Sequence, residues 1–308
     1  MAKIRDHEIE PDARPAARAG TVRIGEDLVV NRMGFGAMRL CGPGIWGWPE
    51  NRENALQVLR RAVELGVNFI DTADAYGPEV NEEQIAQALH PYPHDLVIAT
   101  KGGSVRPGPG QWLRDCRPER LKACAHASLK RLKVDRIALY QLHAVDANVP
   151  FADQVGALVD LSREGVVEHI GLSNVSFAQL VEATKIARIA SVQNMYNIHN
   201  RGENDRIIDF CEQNGIAFIP YFPLGAGELA DDTELQVVSK AHGANMFQIG
   251  LAWLLARSPM MLPIPGTSSL EHLEENVAAA DIQFSQEDRV RLGLEQPVSA
   301  HHGVHDER

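Results

Sequence analysis

One theme recurs along the 308 residues: a short apolar run, a cluster of turn residues, then a stretch of helical periodicity. The apolar runs are Met33–Ala37, Asn68–Thr72, Leu96–Thr100, Ile137–Leu142, His169–Leu172, Ser191–Asn194, Ala217–Tyr221 and Met261–Ile264. Their length suits strands rather than buried helices. Between them, Arg52–Leu65, Glu119–Leu132, Phe151–Arg163, Phe177–Ile186, Asn204–Asn214 and Phe247–Ala256 place apolar residues at helical spacing. Strands separated by helices run parallel, because a parallel pair needs a crossover of about helix length. Eight such units can close on themselves, so the fold class expected is α/β, a (β/α)8 TIM barrel. An open doubly wound sheet is the competitor. Its dinucleotide fingerprint is absent, since Gly34-Phe35-Gly36 runs on into Ala37-Met38-Arg39 without a third glycine opening a helix.

Ahead of the first unit, Thr21–Val30 alternates around Gly25-Glu26 and reads as an N-terminal β-hairpin. The organisation expected is a flexible segment over 1–20, one barrel domain over 21–298 and a tail over 299–308. Residues 1–20 contain no apolar core of a secretory signal, and no run is long enough to predict a membrane span. Lys and Arg total 30 against 41 Asp and Glu, a formal charge of -11, which gives no electrostatic footprint for general nucleic-acid binding. Cys41, Cys116, Cys124 and Cys211 are scattered, so free thiols are expected rather than disulfides or a zinc site. These features point to a cytoplasmic protein, a monomer or weak oligomer.

In a barrel of this kind, chemistry sits where strands end. Asp71 ends the second run, Lys101 the third and His143 the fourth, and Tyr76 follows Asp71 by five residues. Ser173-Asn174, Gln193-Asn194 and Tyr221 end the next three. Taken singly, each has a structural explanation: an N-cap for Asp71, a solvated ammonium for Lys101, a hydrogen-bonded core imidazole for His143, loop packing for Tyr76 and Tyr221. Together they would converge on one mouth.

Phe69-Ile70-Asp71-Thr72-Ala73-x-x-Tyr76-Gly77, Thr100-Lys101, Leu142-His143, Ile170-Gly171-Leu172-Ser173-Asn174, Gln193-Asn194-x-Tyr196-Asn197, Tyr221-x-Pro223-Leu224-Gly225 and Ile264-Pro265-Gly266, with Gly34-Phe35-Gly36 ahead of them, resemble the aldo-keto reductase family in content and order. The resemblance covers Met33 to Asn276. It implies a (β/α)8 barrel and NADP(H)-dependent reduction of a small-molecule carbonyl, with NAD(H) as the second choice of cofactor. It also implies a catalytic set of Asp71, Tyr76, Lys101 and His143.

Carbonyl reduction needs a hydride at carbon and a proton at oxygen. A phenol is protonated at neutral pH but is a weak donor, and a neighbouring ammonium should lower its pKa toward neutrality. Lys101 can do that for Tyr76, Asp71 can hold Lys101, and His143 can orient the carbonyl. The reverse assignment, with the proton on His143, stays open.

The resemblance also implies the cofactor contacts. Ser173, Asn174 and Gln193 would hold the carboxamide, and Tyr221 would stack on the ring. Pro223, Leu224, Gly225 and Gly227 would cross the diphosphate. Gly36, Asp71, Ile264, Gly266, Thr267, Ser268, His272, Glu275 and Asn276 complete the set. Ser269 as a plain N-cap is a structural alternative there. Many relatives carry Lys at position 266 and Arg at 272, whereas this chain has Gly266 and His272. That implies a modest preference for NADPH over NADH, dependent on pH through His272.

For the substrate, Met38, Arg39, Trp46, Trp48 and Trp112 join Tyr76 and His143 as candidates in loops that decide specificity. Trp46 and Trp48 can equally anchor their loop, and Arg39 can equally form a surface salt bridge. Arg39-Leu40-x-Gly42-Pro43-Gly44-Ile45-Trp46-Gly47 and Pro263 to Ser269 resemble bacterial members related to pyridoxal reductase. The alternatives are a ketoreductase or alcohol dehydrogenase for a bulky cyclic substrate, and a non-catalytic NADPH-binding regulatory subunit.

Overall fold

The computed structural model describes residues 14–225 and 232–295. The hairpin forms from β1 (Thr21–Ile24) and β2 (Leu28–Asn31). Barrel strands follow as β3 (Phe35–Gly36), β4 (Phe69–Asp71) and β5 (Val97–Gly102). After the small antiparallel pair β6 (Ser104–Val105) and β7 (Leu113–Arg114), they continue as β8 (Ile137–Leu142), β9 (Val167–Ser173), β10 (Ile189–Gln193) and β11 (Ala217–Phe218). The barrel strands pair in parallel in chain order from β3 to β11.

The eighth run, Met261–Ile264, is not a regular strand, yet it closes the barrel. Phe218 N donates to Met260 O and Leu262 N to Phe218 O, both at 2.9 Å. On the other side Gly34 N donates to Pro263 O at 3.0 Å and Gly36 N to Pro265 O at 3.4 Å. Pro263 and Pro265 have no N–H to return, so that half of the ladder cannot form. Pro220 likewise ends β11 before the expected Tyr221.

The helices are α1 (Arg52–Glu64), α2 (Val80–Leu89), α3 (Pro118–Leu132), α4 (Phe151–Arg163), α5 (Phe177–Ala183), α6 (Asn204–Asn214), α7 (Thr233–His242), α8 (Met246–Arg257), α9 (Leu270–Ala278) and α10 (Gln286–Arg291). Local chemistry sets their ends. Asn51 caps α1, Ser176 with Gln179 and Asn245 with Gln248 form capping boxes, and Pro118 opens α3. The α2 helix is absent from the apolar pattern because much of its inner face is polar: Asn81, Glu82 and Gln84 are fully buried. Their partners are distant in sequence. Thr100 Oγ1 donates to Glu82 at 2.6 Å, and Arg131 Nε donates to the same carboxylate at 2.6 Å.

Two cores result. One lies between the sheet and the helices. The other fills the barrel where its strands begin, with Phe69, Val97, Ala99, Leu139 and Leu262 packed on Val22, Ile24 and Val30 of the hairpin. The hairpin therefore plugs the end at which the strands start and leaves the opposite end for a site. The described part of the N-terminal segment is packed rather than free: Pro15–Ala19 forms a 3-10 turn, Ala16 is fully buried, and Arg18 pairs with Asp281 at 2.9 Å.

Candidate active site

Side chains alternate along a strand, so residues two apart share a face. Phe69, Ala99 and Leu139 point into the barrel, and two residues further on stand Asp71, Lys101 and Gln141. Lys101 Nζ donates to Asp71 Oδ2 at 2.6 Å, to Thr72 O at 2.9 Å and to the Tyr76 hydroxyl at 3.3 Å. Asp71 Oδ1 accepts from Gln193 Nε2 at 2.8 Å and from Gln141 Nε2 at 3.3 Å. Asp71 is 2% exposed and Lys101 0%. Tyr76 reaches this pair from a turn, Tyr76 N donating to Ala73 O at 3.1 Å. Asn81 and Gln84 of α2 donate to Ala37 O and Leu40 O, both at 2.9 Å, and so fix the loop after β3 beside it.

Burial draws the Lys101 ammonium down, but the Asp71 carboxylate and Tyr76 outweigh it and the net direction is up. Burial pushes the Tyr76 phenol up, the Lys101 charge opposes this, and the Asp71 charge adds to it, leaving the phenol above its ordinary value. This corrects the expectation of a phenol lowered toward neutrality. The ammonium is matched by Asp71, so the pair presents little net charge to Tyr76. Burial, reinforced by the cations Lys101 and Arg106, holds His143 well below the usual imidazole range. Its ring is therefore neutral, and Nδ1 is buried with no hydrogen-bond partner among the described residues.

These groups face a cavity of about 360 Å³. Of the residues singled out from sequence, it is lined by Gly36, Met38, Arg39, Asp71, Tyr76, Trp112, His143, Ser173, Asn174, Gln193, Tyr221, Pro223, Leu224, Ile264 and Gly266. A groove sharing Met38, Arg39, Trp112 and Gly266 continues past Thr267 and Ser268. His272, Glu275 and Asn276 stand on α9, outside both linings. Gly225 closes a turn onto Phe222 O and lines neither. Gly227 lies outside the described residues.

Trp46 and Trp48 also stay out of both linings. The Arg52 guanidinium lies over Trp48 at 4.7 Å, and Trp46 bridges to Gly77. These contacts support the anchoring role that the sequence left open for both residues beside a substrate role. Arg39 forms no ion pair among the described residues. Ser269 is an N-cap, accepting from His272 N at 3.3 Å.

The donor set suits a nicotinamide. Ser173 offers a hydroxyl, and Tyr221 a ring held by its hydroxyl donating to Asn174 Oδ1 at 2.7 Å. Asn174 Nδ2 is spent on His143 O and Ser173 Oγ, each at 3.0 Å. Gln193 gives its nitrogen to Asp71 and keeps its oxygen as an acceptor. The far wall is backbone: a Cβ at Gly266 would sit 2.5 Å from Gly36 O, so no lysine fits there without a shift.

Sequence reasoning missed Gln141, Phe222 and Arg106. Gln141 shares the inward face of Leu139, and that alternation was a usable signal. Phe222 follows Tyr221 and lines the cavity. Arg106 sits in a loop without a motif.

The model of the aldo/keto reductase family matches residues 32–292. An uncharacterised oxidoreductase of Schizosaccharomyces pombe is 50% identical over 281 residues, 91% of each chain. Pyridoxine 4-dehydrogenase of Escherichia coli is 45% identical over 264 residues, 84% of this chain and 92% of that one. The crystal structure of an aldo-keto reductase from Klebsiella pneumoniae in complex with NADPH superposes with a TM-score of 0.76 at 28% identity, covering 88% of this chain and 93% of that one. With the cavity at the strand ends of a parallel barrel, these likenesses carry one conclusion: the chain belongs to the aldo/keto reductase family.

Proposed function

We propose that the cavity reduces an aldehyde or ketone to the alcohol with NADPH, Tyr76 giving the proton and His143 orienting the carbonyl. The observation that carries this reading is the buried Asp71–Lys101–Tyr76 chain, with Lys101 Nζ 2.6 Å from one partner and 3.3 Å from the other. The nicotinamide, when bound, supplies the hydride. Tyr76 keeps its proton in the resting site because burial raises its phenol. As that proton leaves, Lys101 stabilises the charge developing on the oxygen, and Asp71, fixed by Gln141 and Gln193, keeps the ammonium in place. The neutral His143 can hydrogen-bond a carbonyl oxygen but holds no spare proton as an imidazolium, which weighs against the reverse assignment. Ser173 and the Gln193 oxygen meet the carboxamide, and Tyr221 covers the ring.

For the substrate, a ring-bearing aldehyde of the pyridoxal type comes first, on the 45% identity to pyridoxine 4-dehydrogenase. A bulky cyclic ketone is the second reading, favoured by Trp112, which lines the cavity while 40% exposed. The reading takes the working unit as one barrel domain over 21–298, a monomer or weak oligomer in the cytoplasm. Its four cysteines are free and buried, in keeping with a reducing compartment. No helix among the described residues is long and apolar enough to cross a membrane.

The test is NADPH oxidation against pyridoxal, a nitrobenzaldehyde, a linear aldehyde, a dione and a bulky cyclic ketone, with Tyr76→Phe as control. Turnover that depends on Tyr76 is expected. Tight NADPH binding with no turnover of any carbonyl would overturn the reading in favour of a regulatory cofactor-binding role.

A further inference from the structure

We infer that Arg106 is the positioning residue that builds the substrate side of the cavity, clamping three rim loops and setting Trp112 against Tyr76 and His143. The inference rests on the reductase reading above. Arg106 and Trp112 flank the tip of the β6–β7 hairpin. The Arg106 side chain is buried, yet no carboxylate pairs with it among the described residues. Its donors go to backbone carbonyls instead: Nε to Gln111 O at 2.8 Å, Nη1 to Ile45 O at 3.0 Å and Ala75 O at 3.1 Å, Nη2 to Gly44 O at 2.7 Å. These carbonyls belong to the loops after β3, β4 and β5, and Ala75 immediately precedes Tyr76.

The guanidinium also lies over the Trp112 ring at 3.8 Å. Trp112 in turn meets Tyr76 edge-on at 6.3 Å and His143 at 6.0 Å between ring centroids. Ile45, a β-branched residue, is held at φ 55°, a conformation that costs free energy and needs external support. Arg106 supplies that support at the Ile45 carbonyl. A lysine cannot do the same, because its ammonium has neither the fork of donors nor a planar face to stack.

The experiment compares Arg106→Lys and Arg106→Gln with the parent enzyme on a ring-bearing aldehyde and on a small straight-chain aldehyde. The parent's own NADPH turnover tests the reductase reading separately. For both variants we expect kcat/KM on the ring-bearing substrate to fall by about 10- to 100-fold, mostly through KM. The small aldehyde should lose several-fold less than the ring-bearing one, because it makes less contact with Trp112. NADPH affinity by fluorescence titration should hold, since the clamp touches none of the proposed carboxamide contacts. In a double-mutant cycle with Trp112→Ala, the two losses on the ring-bearing substrate should be strongly non-additive. The acid limb of the Arg106→Gln pH profile should move to higher pH. Among the described residues Lys101, already paired to Asp71, would remain the one cation bearing on His143, with Tyr76 and Trp112 its uncharged ring neighbours. Equal losses on both substrates, additive effects with Trp112→Ala, or a lysine variant with the parent's KM would each overturn the assignment.

Discussion

Replacing Lys101 by methionine tests whether the buried pair is both structural and chemical. The side chains of Lys101 and Asp71 are 0% and 3% exposed, and their contact is 2.6 Å. Methionine keeps much of the stem but no charge, so Asp71 stays in the barrel with two glutamine amides and no cation. Removing one member of a buried pair costs about 3–5 kcal/mol, whereas replacing both members is close to neutral. Lys101→Met should therefore lower the unfolding free energy by roughly 3–5 kcal/mol. Adding Asp71→Asn, which keeps an acceptor for Gln141 and Gln193, should restore more than half of that. Turnover should behave differently: both variants lose the ammonium at Tyr76, and neither should reduce a carbonyl at a rate near the parent's. Urea unfolding followed by circular dichroism gives the first quantity and NADPH oxidation the second. A single variant as stable as the parent would refute the buried-pair argument. A double variant that turns over normally would refute the chemical one.

Tyr76→Phe should cut kcat by about 10²- to 10⁴-fold while NADPH affinity stays within about twofold, since it removes a proton and little shape; fluorescence titration and steady-state kinetics check this together. Asp74 is 6% exposed with Oδ1 unpartnered among the described residues, and burial raises its carboxyl to about 7, Glu82 adding to that while the Cys124 hydrogen bond and Arg131 oppose it. The folded state thus holds this proton more tightly than the unfolded chain. The contribution is fully present below the ordinary carboxylate pKa of 3.8 and is lost as pH rises through about 7. Asp74→Asn should therefore gain Tm relative to the parent between about pH 5 and pH 8, with roughly 4 kcal/mol as the ceiling; a gain independent of pH would contradict the reasoning. His272→Arg should raise the ratio of kcat/KM for NADPH over NADH by adding a permanent cation at the start of α9, where it can meet the extra phosphate that distinguishes NADPH from NADH; an unchanged ratio places that phosphate elsewhere.

What was legible in the sequence is what local periodicity encodes. Alternation along β4 and β5 puts Asp71 and Lys101 on the face of Phe69 and Ala99, and parallel neighbours bring those strand ends to one rim. The chain order of strand and helix then favours the barrel over an open doubly wound sheet, and the hairpin around Gly25 reads directly from its own ten residues. Hidden from such reading were groups whose partners lie far along the chain. The α2 helix escapes the apolar pattern because Asn81, Glu82 and Gln84 are buried against β3-loop carbonyls, Thr100 and Arg131. Met261–Ile264 looks like a strand, but its prolines withhold half a ladder that only the closing neighbour reveals. Trp46, Trp48 and Trp112 look equivalent as loop aromatics, and packing alone separates two anchors from one cavity wall.

The charge states show the same division. Sequence placed an ammonium near a phenol, whereas the direction of the phenol's shift depended on Asp71 lying 2.6 Å from that ammonium and on the depth of burial. Spacing along the chain determined the expectation of a barrel with polar residues at its strand ends, and the resemblance to a known family implied which of them form the catalytic set. The tertiary structure alone decided which loops meet, that Arg106 binds three of them, and that Gln141 and Gln193 share Asp71. Hydrogen bonds and desolvation act across space between residues whose separation along the chain carries no signal.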